Sequence, residues 1–242
     1  MYNNKTISVV FATYKERNSV RRVIEEFFAT GFVDEIVVVN NNAEEGTEEE
    51  VKKTKARMIY EKRQGYGYTY QTGIKAARGD YVVLCEPDGC YVGSDLERFL
   101  VYAKTGGFDA VLGSRTGQNT PLSGADMGVG RKFVNVIEAK TIEVLFNTNA
   151  LTDIGCTYKL FTRKALKKLS PHFECTSSLF ATELVLLTVS HNLKFIDIPV
   201  TFKKRIGTSV FTNTLLKTAK WGLHIQAYIL WYWLRWIFKI SP

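Results

Sequence analysis

The stretch VVLCEPDGCY, residues 82 to 91, runs from four apolar residues into two carboxylates, Glu86 and Asp88, held apart by Pro87 and followed by Gly89. The apolar run reads as a buried strand, and the proline and glycine end it in a turn. Carboxylates at such a strand end suit a hard divalent cation, Mg²⁺ or Mn²⁺, which takes oxygen ligands and is commonly completed by substrate phosphates. With the proline fixing the turn, Glu86 and Asp88 project on one side, so that one suits a ribose hydroxyl and the other the metal. Asp and Gly are also ordinary turn residues, and the pair alone does not separate a metal site from a plain turn.

The elements that would position this pair alternate. TISVVFATY (6 to 14) and VDEIVVVNNN (33 to 42) are short β-branched runs, with RNSVRRVIEEFFATG between them at helical spacing. ARMIYEK and GDYVVLCEPD continue the pattern around the helical GYTYQTGIKAARG, so the first half predicts βαβ units and a largely parallel sheet. Ligands gather at the carboxyl ends of the strands in such sheets. Each strand here ends in polar residues: Thr13, Tyr14 and Glu16, then Asn40 to Asn42, then Glu86 and Asp88. They are expected to share one crevice. The turn after the first strand, ATYKERNSV, lacks GxGxxG, and no P-loop is present, which excludes those two phosphate-binding designs. A Gly-rich stretch from Gly117 to Gly130 reads as a loop, before the helical RKFVNVIEAKTIEVLFN and a segment ending in FIDIPVTFKKRIGTS.

The 242 residues are 45% hydrophobic and 23% charged, enough for one domain with a sizeable core. Charge is unevenly spread: residues 1 to 162 hold 20 basic and 21 acidic side chains, whereas 163 to 242 hold 12 and 3, a net of +9. That half seeks an anionic partner or surface. Four cysteines without a CxxC and only three histidines argue against a structural zinc site or a disulfide framework, leaving a reducing cytosolic compartment as the default, and MYNNKTISVV lacks a secretory signal pattern.

All four tryptophans fall within residues 221 to 236, and WGLHIQAYILWYWL (221 to 234) has no formally charged residue but is flanked by Lys217, Lys220, Arg235 and Lys239. Fourteen helical residues rise about 21 Å, short of the roughly 30 Å hydrocarbon core, so this segment predicts an interfacial helix rather than a span. A core helix or a homo-oligomer contact is the competing reading. Nucleic acid is excluded as a partner, because recognisable modules are absent and the aromatic cluster is too apolar for a solvated stacking groove.

Taken in order, FATYKE, VVVNNNAEEGT, RQGYGYTYQTGIKAARGDYVVLCEPDG and VLGSRT resemble the nucleotide-sugar-binding half of family 2 GT-A glycosyltransferases. LTDIGCTYKLFTRKAL, ATELVLL and IPVTFKKRIGTS are similar to the branch containing dolichyl-phosphate mannose synthase and bacterial polyprenyl-phosphate glucosyltransferases. The resemblance, over residues 6 to 210, implies a GT-A fold of the α/β class: a Rossmann-like, mixed but mostly parallel sheet flanked by helices, followed by the amphipathic segment. It divides the chain into a domain over 1 to 210, with a donor half (1 to 115) and an acceptor half (116 to 210), and a tail over 211 to 242.

The same resemblance assigns roles. Thr13, Tyr14 and Glu16 would flank the nucleotide, Asn40 stands where the family has an aspartate reading the base or ribose, and Gly67 would let backbone approach the nucleotide. Glu86 stands for the first carboxylate of the DxD motif, and Asp88 is the metal ligand. Arg115, Arg131, Arg205 and Ser209 would bind the phosphate of a polyprenyl-phosphate acceptor, for which arginine forks are suited. The implied reaction is inverting, metal-dependent transfer of a hexose from a UDP- or GDP-sugar, at the cytosolic face of a membrane. A phosphate acceptor needs no strong base; a glycan or glycolipid hydroxyl would, and Asp153 or Glu183 is then the candidate. Lys15, Asn40 and Glu86 depart from the family pattern and keep open a catalytically silent membrane-associated scaffold. A nucleotidyltransferase fits the fold but not the second-half motifs.

Overall fold

The computed structural model describes residues 4–116, 122–123, 129–148, 151–207 and 215–239. The β-branched runs form strands β1 (Ile7–Thr13), β2 (Glu35–Asn40), β3 (Arg57–Tyr60) and β4 (Tyr81–Cys85), linked by helices α1 (Arg17–Ala29), α2 (Thr47–Lys52) and α3 (Tyr66–Ala76). Then follow α4 (Leu96–Thr105), β5 (Ala110–Ser114), β6 (Leu122–Ser123) and α5 (Val129–Phe146). The chain continues through β7 (Lys159–Thr162), α6 (Arg163–Leu169), α7 (Phe180–Ser190), β8 (Phe195–Pro199), β9 (Phe202–Lys203) and α8 (Leu215–Ile237).

Seven strands make one sheet in the order β3-β2-β1-β4-β7-β5-β8. Only β7 is antiparallel to its neighbours, so the sheet is mixed and mostly parallel, as expected. The order reverses between β1 and β4, which pair with Phe11 opposite Cys85, while Thr13 lies opposite Asn40 across β1 and β2. That register brings the polar ends of β1, β2 and β4 to one edge at the strand-order switch, where open α/β sheets form their crevice.

Both faces of the sheet are covered, which is why its strands are apolar without strict alternation. Val9 and Phe11 point to α1 and α4, with Phe11 and Phe27 edge to face at 5.2 Å between centroids. Val10, Val82 and Leu84 point to α3 and α7 on the other side. Full burial of each such side chain contributes about 1.5–3 kcal/mol.

The helix at the end of the chain is longer than the uncharged segment suggested, 23 residues rather than fourteen, and it packs along α5 and α7. Ile225 and Ile229 enter the core, and Trp233 donates its indole N–H to the Leu145 carbonyl at 2.8 Å. Gly222 lets α8 press against α5, since a Cβ there would lie 2.6 Å from a Val134 methyl. Among the described residues, no helix is long and apolar enough to cross a membrane.

Candidate active site

The turn after β4 is pinned from both sides. Ser19 Oγ, on α1, donates to the Pro87 carbonyl at 2.7 Å, and the Ile206 N–H donates to the Asp88 carbonyl at 2.9 Å. Asp88 is buried; its Oδ1 accepts the Cys90 N–H at 2.9 Å and its Oδ2 lies 3.2 Å from Arg205 Nη1. The same guanidinium donates through Nη2 to Glu16 Oε1 at 2.5 Å, and Glu16 Oε2 accepts the Tyr14 and Lys15 N–H groups. Glu16, Asp88 and Arg205 therefore form one cluster joining the end of β1, the turn after β4 and the segment after β9. Arg205, which sequence resemblance put on the acceptor phosphate, stands among the donor-side carboxylates.

Glu86 is half-buried beside this cluster. Burial and the Asp88 charge push its carboxyl up, to about 8, against the opposing pull of Arg205 and Arg115. Two crowded carboxylates with this excess of negative potential fit a divalent cation, with Asp88 and Glu86 as its protein ligands and the remaining positions left to donor phosphates and water. Among the described residues no cluster of three or more acidic, Cys or His side chains could hold a metal by itself.

Arg115, at the end of β5, forms a second arginine–carboxylate pair. Its Nε and Nη2 donate to the two Asp153 oxygens at 2.7 and 3.0 Å, its backbone N–H donates to the same carboxylate at 2.9 Å, and the Gly155 N–H adds a fourth bond at 3.1 Å. Burial raises the proton affinity of Asp153, but Arg115 outweighs it and holds the carboxyl below its ordinary value. A carboxylate so committed is a poor general base; its role here is to fix the guanidinium. Glu183, the other candidate base, accepts the Glu174 and Cys175 N–H groups through Oε1, each at 2.9 Å, and so fastens the segment ahead of α7, while its buried Oε2 has no hydrogen-bond partner among the described residues and burial pushes the carboxyl up.

The remaining expectations divide. Thr13 is buried with its hydroxyl on the Val39 carbonyl, and Tyr14 stays exposed at the rim. The Asn40 side-chain oxygen closes a local turn on the Ala43 N–H at 2.9 Å. At Gly67 the close approach is made by protein: its N–H donates to the Thr176 carbonyl, and a Cβ there would lie 2.2 Å from the Cys175 carbonyl oxygen. Arg131 lies one turn before Asn135 on α5, and Asn135 Oδ1 and Arg115 Nη2 both flank Gly155, so α5 brings its first turns to the Arg115 pair. Ser209 and most of the Gly-rich stretch lie outside the described residues.

Two positioning residues were not foreseen. Asn41, buried next to Asn40, donates to the Glu61 and Arg63 carbonyls and accepts from the Gly65 N–H, tying the end of β2 to the loop that opens α3. Asp197 accepts the Thr152 N–H at 2.7 Å and so holds the loop that presents Asp153. The triplet NNN marked a turn without saying which amide faces inward, and nothing in FIDIPV singles out its aspartate.

The fold, with its crevice at the strand-order switch, matches solved structures. Glucosyl-3-phosphoglycerate synthase from Mycobacterium tuberculosis, in complex with Mn²⁺, uridine-diphosphate and phosphoglyceric acid, superposes with a TM-score of 0.72 at 17% identity, over 95% of this chain and 79% of that one. Residues 8–170 match the Glycosyl transferase family 2 profile, and the chain belongs to that family. It is 26% identical over 207 residues to the low-salt glycan biosynthesis hexosyltransferase Agl6 of Haloferax volcanii, covering 84% of this chain and 49% of that protein. It is also 26% identical over 235 residues to the dolichyl-phosphate beta-glucosyltransferase ALG5D of Trichomonas vaginalis, covering 88% and 70%. The chain thus spans about half the length of the first relative and about two thirds or more of the second.

Proposed function

We propose that this glycosyltransferase moves a hexose from a UDP- or GDP-sugar to a polyprenyl or dolichyl phosphate, with inversion, while resting on the cytosolic face of a membrane. The observation that carries the reading is the pair of arginine–carboxylate clusters, Arg115 with Asp153 and Arg205 with Glu16 and Asp88, with Glu86 in the field of both arginines. One cluster serves the donor diphosphate through a divalent cation, Mg²⁺ or Mn²⁺, at Asp88 and Glu86. When bound, that ion supplies positive charge to the departing diphosphate. Thr13, Tyr14 and Glu16 line the nucleotide side, and Arg115 and Arg131 the acceptor side, with Ser209 assigned there by sequence resemblance alone. An acceptor phosphate oxygen is already anionic near neutral pH, so orientation and fixed charge supply the catalysis and no strong base is required. The commitment of Asp153 to Arg115 supports this over a hydroxyl acceptor that would use Asp153 as base. The relatives' names, a dolichyl-phosphate glucosyltransferase among them, point the same way.

The test is transfer from a panel of radiolabelled UDP- and GDP-sugars, with Mg²⁺ or Mn²⁺, with and without polyprenyl phosphate in detergent micelles. Label entering a mild-acid-labile lipid only when acceptor and metal are both present is the expected result. Donor binding without transfer would redirect the reading to a glycan hydroxyl, and neither binding nor transfer would leave the silent scaffold.

A further inference from the structure

The outward faces of α5 and α8 each carry a row of exposed apolar side chains, interrupted on α5 by Lys140. On α5, Phe133, Ile137 and Val144 are exposed, Phe133 by 65% and Val144 by 79%; on α8, Leu223, Leu230 and Leu234 are exposed, Leu223 by 72%. Single exposed leucines are unremarkable, but steps of four and seven residues put each set on one side of its helix. The helices run parallel and touch in step: Val134 against Gly222, Thr141 bonded to Gln226 at 3.2 Å, Leu145 to Trp233, and the Phe146 ring 5.1 Å from Trp236. Ala139 and Ile142 on α5 and Ile225 and Ile229 on α8 point into the core. With contact on one side and the core behind, the two exposed stripes turn the same way and form a single apolar plane. From Leu216 to Ile237 the plane is about 32 Å long.

Its charge selects the occupant. α8 contains no acidic residue. On α5, Glu138 is buried, and Glu143 is held by Lys140 and the Leu151 N–H. Lys132, Lys140, Lys217 and Lys220 are exposed on these two helices. A second copy would bring the same positive rim against itself, whereas an anionic bilayer complements it.

We infer that α5 and α8 together are a bilayer-docking platform, so that membrane binding is shared with a helix of the catalytic domain and is not confined to the end of the chain. The inference rests on the lipid-phosphate reading above and adds to it. Asn135, one turn after Arg131 on α5, flanks Gly155 together with Arg115, so docking this plane brings the acceptor side of the crevice to the headgroup level, where a lipid phosphate lies.

The test is co-sedimentation of the full chain with phosphatidylcholine vesicles, with and without phosphatidylglycerol. The triple variant Phe133→Ser, Ile137→Ser, Val144→Ser leaves α8 intact, and all three sites are exposed. Its vesicle partition is expected to fall by about tenfold or more, with unchanged thermal unfolding and unchanged sugar-nucleotide binding. Wild-type partition is expected to need the anionic lipid. In parallel, an environment-sensitive fluorophore on Val144→Cys, with the unsubstituted chain as labelling control, is expected to shift to the blue on adding vesicles. Unchanged partition of the triple variant, or no shift at position 144, overturns the platform. So does a wild-type dimer in lipid-free solution that the triple variant dissolves while vesicle binding persists. Micellar transfer from the sugar donor does not depend on vesicle docking, so loss of that activity tests the proposed reaction and not the platform.

Discussion

Arg205 and Asp88 form an ion pair of 3.2 Å across the entrance to the carboxylate cluster, with a cation already placed beside the oxygens that a divalent ion would take. The guanidinium also spans to Glu16, and it is partly exposed, so its hold is modest compared with that of a fully buried pair. In the proposed reaction a divalent ion held by Asp88 would displace Arg205 from that carboxylate and leave the guanidinium available to an acceptor phosphate. The variant Arg205→Ala is expected to bind Mn²⁺ without nucleotide roughly five- to tenfold more tightly, about 1 kcal/mol, while the apparent affinity for the lipid acceptor falls. Titration followed by electron paramagnetic resonance reads the first effect and acceptor KM the second. Weaker Mn²⁺ binding in the variant would show that Arg205 does not compete with the ion.

Asp88→Asn keeps the oxygen that accepts the Cys90 N–H but removes the charge. Turnover is expected to fall by at least about two orders of magnitude, together with metal-dependent nucleotide binding, while the unfolding midpoint stays close to that of the wild type. Calorimetric titration of UDP and GDP with and without Mn²⁺ checks this. Full metal-dependent binding in the variant would remove Asp88 from the metal site.

The sheet and the gathering of Glu16, Glu86 and Asp88 at its strand ends were legible in the sequence because they rest on local signals: β-branched runs, a Pro–Gly turn and polar residues where each run stops. What was not legible depends on contacts across long sequence separations. Arg205 reads equally as a phosphate ligand or as a counter-ion until the bond to Glu16, 189 residues away, is known. Gly67 signals a close approach without saying what approaches, and here it is the backbone of Cys175 and Thr176. The exposed faces of α5 escaped notice because Phe133, Ile137 and Val144 have the composition of core residues, and only their position outside the core marks them.

Asp153 answers a charge that has nowhere else to go. The Arg115 side chain is only 15% exposed, and converting its partner to a neutral amide leaves a largely desolvated guanidinium without its counter-ion. Asp153→Asn is expected to lower stability by about 3 kcal/mol at neutral pH and to raise acceptor KM more than donor KM. Because the carboxyl titrates below its ordinary value in the folded protein, its stabilising effect is complete above the unfolded value, about 3.9, and is lost as the pH falls through the lower folded value. Urea unfolding of wild type and variant between about pH 3 and 7 is expected to converge at the acid end. An equal gap at every pH would place the defect in packing and not in the ion pair.

Glu138 is the opposite case. It is buried where α8 packs on α5 beside Gly222, neither carboxyl oxygen has a hydrogen-bond partner among the described residues, and burial, with a smaller contribution from Asp153, pushes its carboxyl up to about 8. In the unfolded chain a glutamate titrates near 4.3, so folding takes up a proton at intermediate pH. The stability associated with the neutral form is complete below the unfolded value and declines as the pH rises, until the folded value is passed. Glu138→Gln removes that dependence with little change in shape. At about pH 3.5, below the unfolded value, the two proteins are expected to be alike, whereas near pH 8 the variant is expected to be more stable by upwards of about 1.4 kcal/mol, the equivalent of one unit. The contact between α5 and α8 is also where the loss is expected to be felt first, so amide hydrogen exchange in α8 should quicken with pH in the wild type beyond the intrinsic rate, and the variant should suppress that excess. Parallel stability curves for the two proteins across this range would show that Glu138 is already compensated in the folded chain.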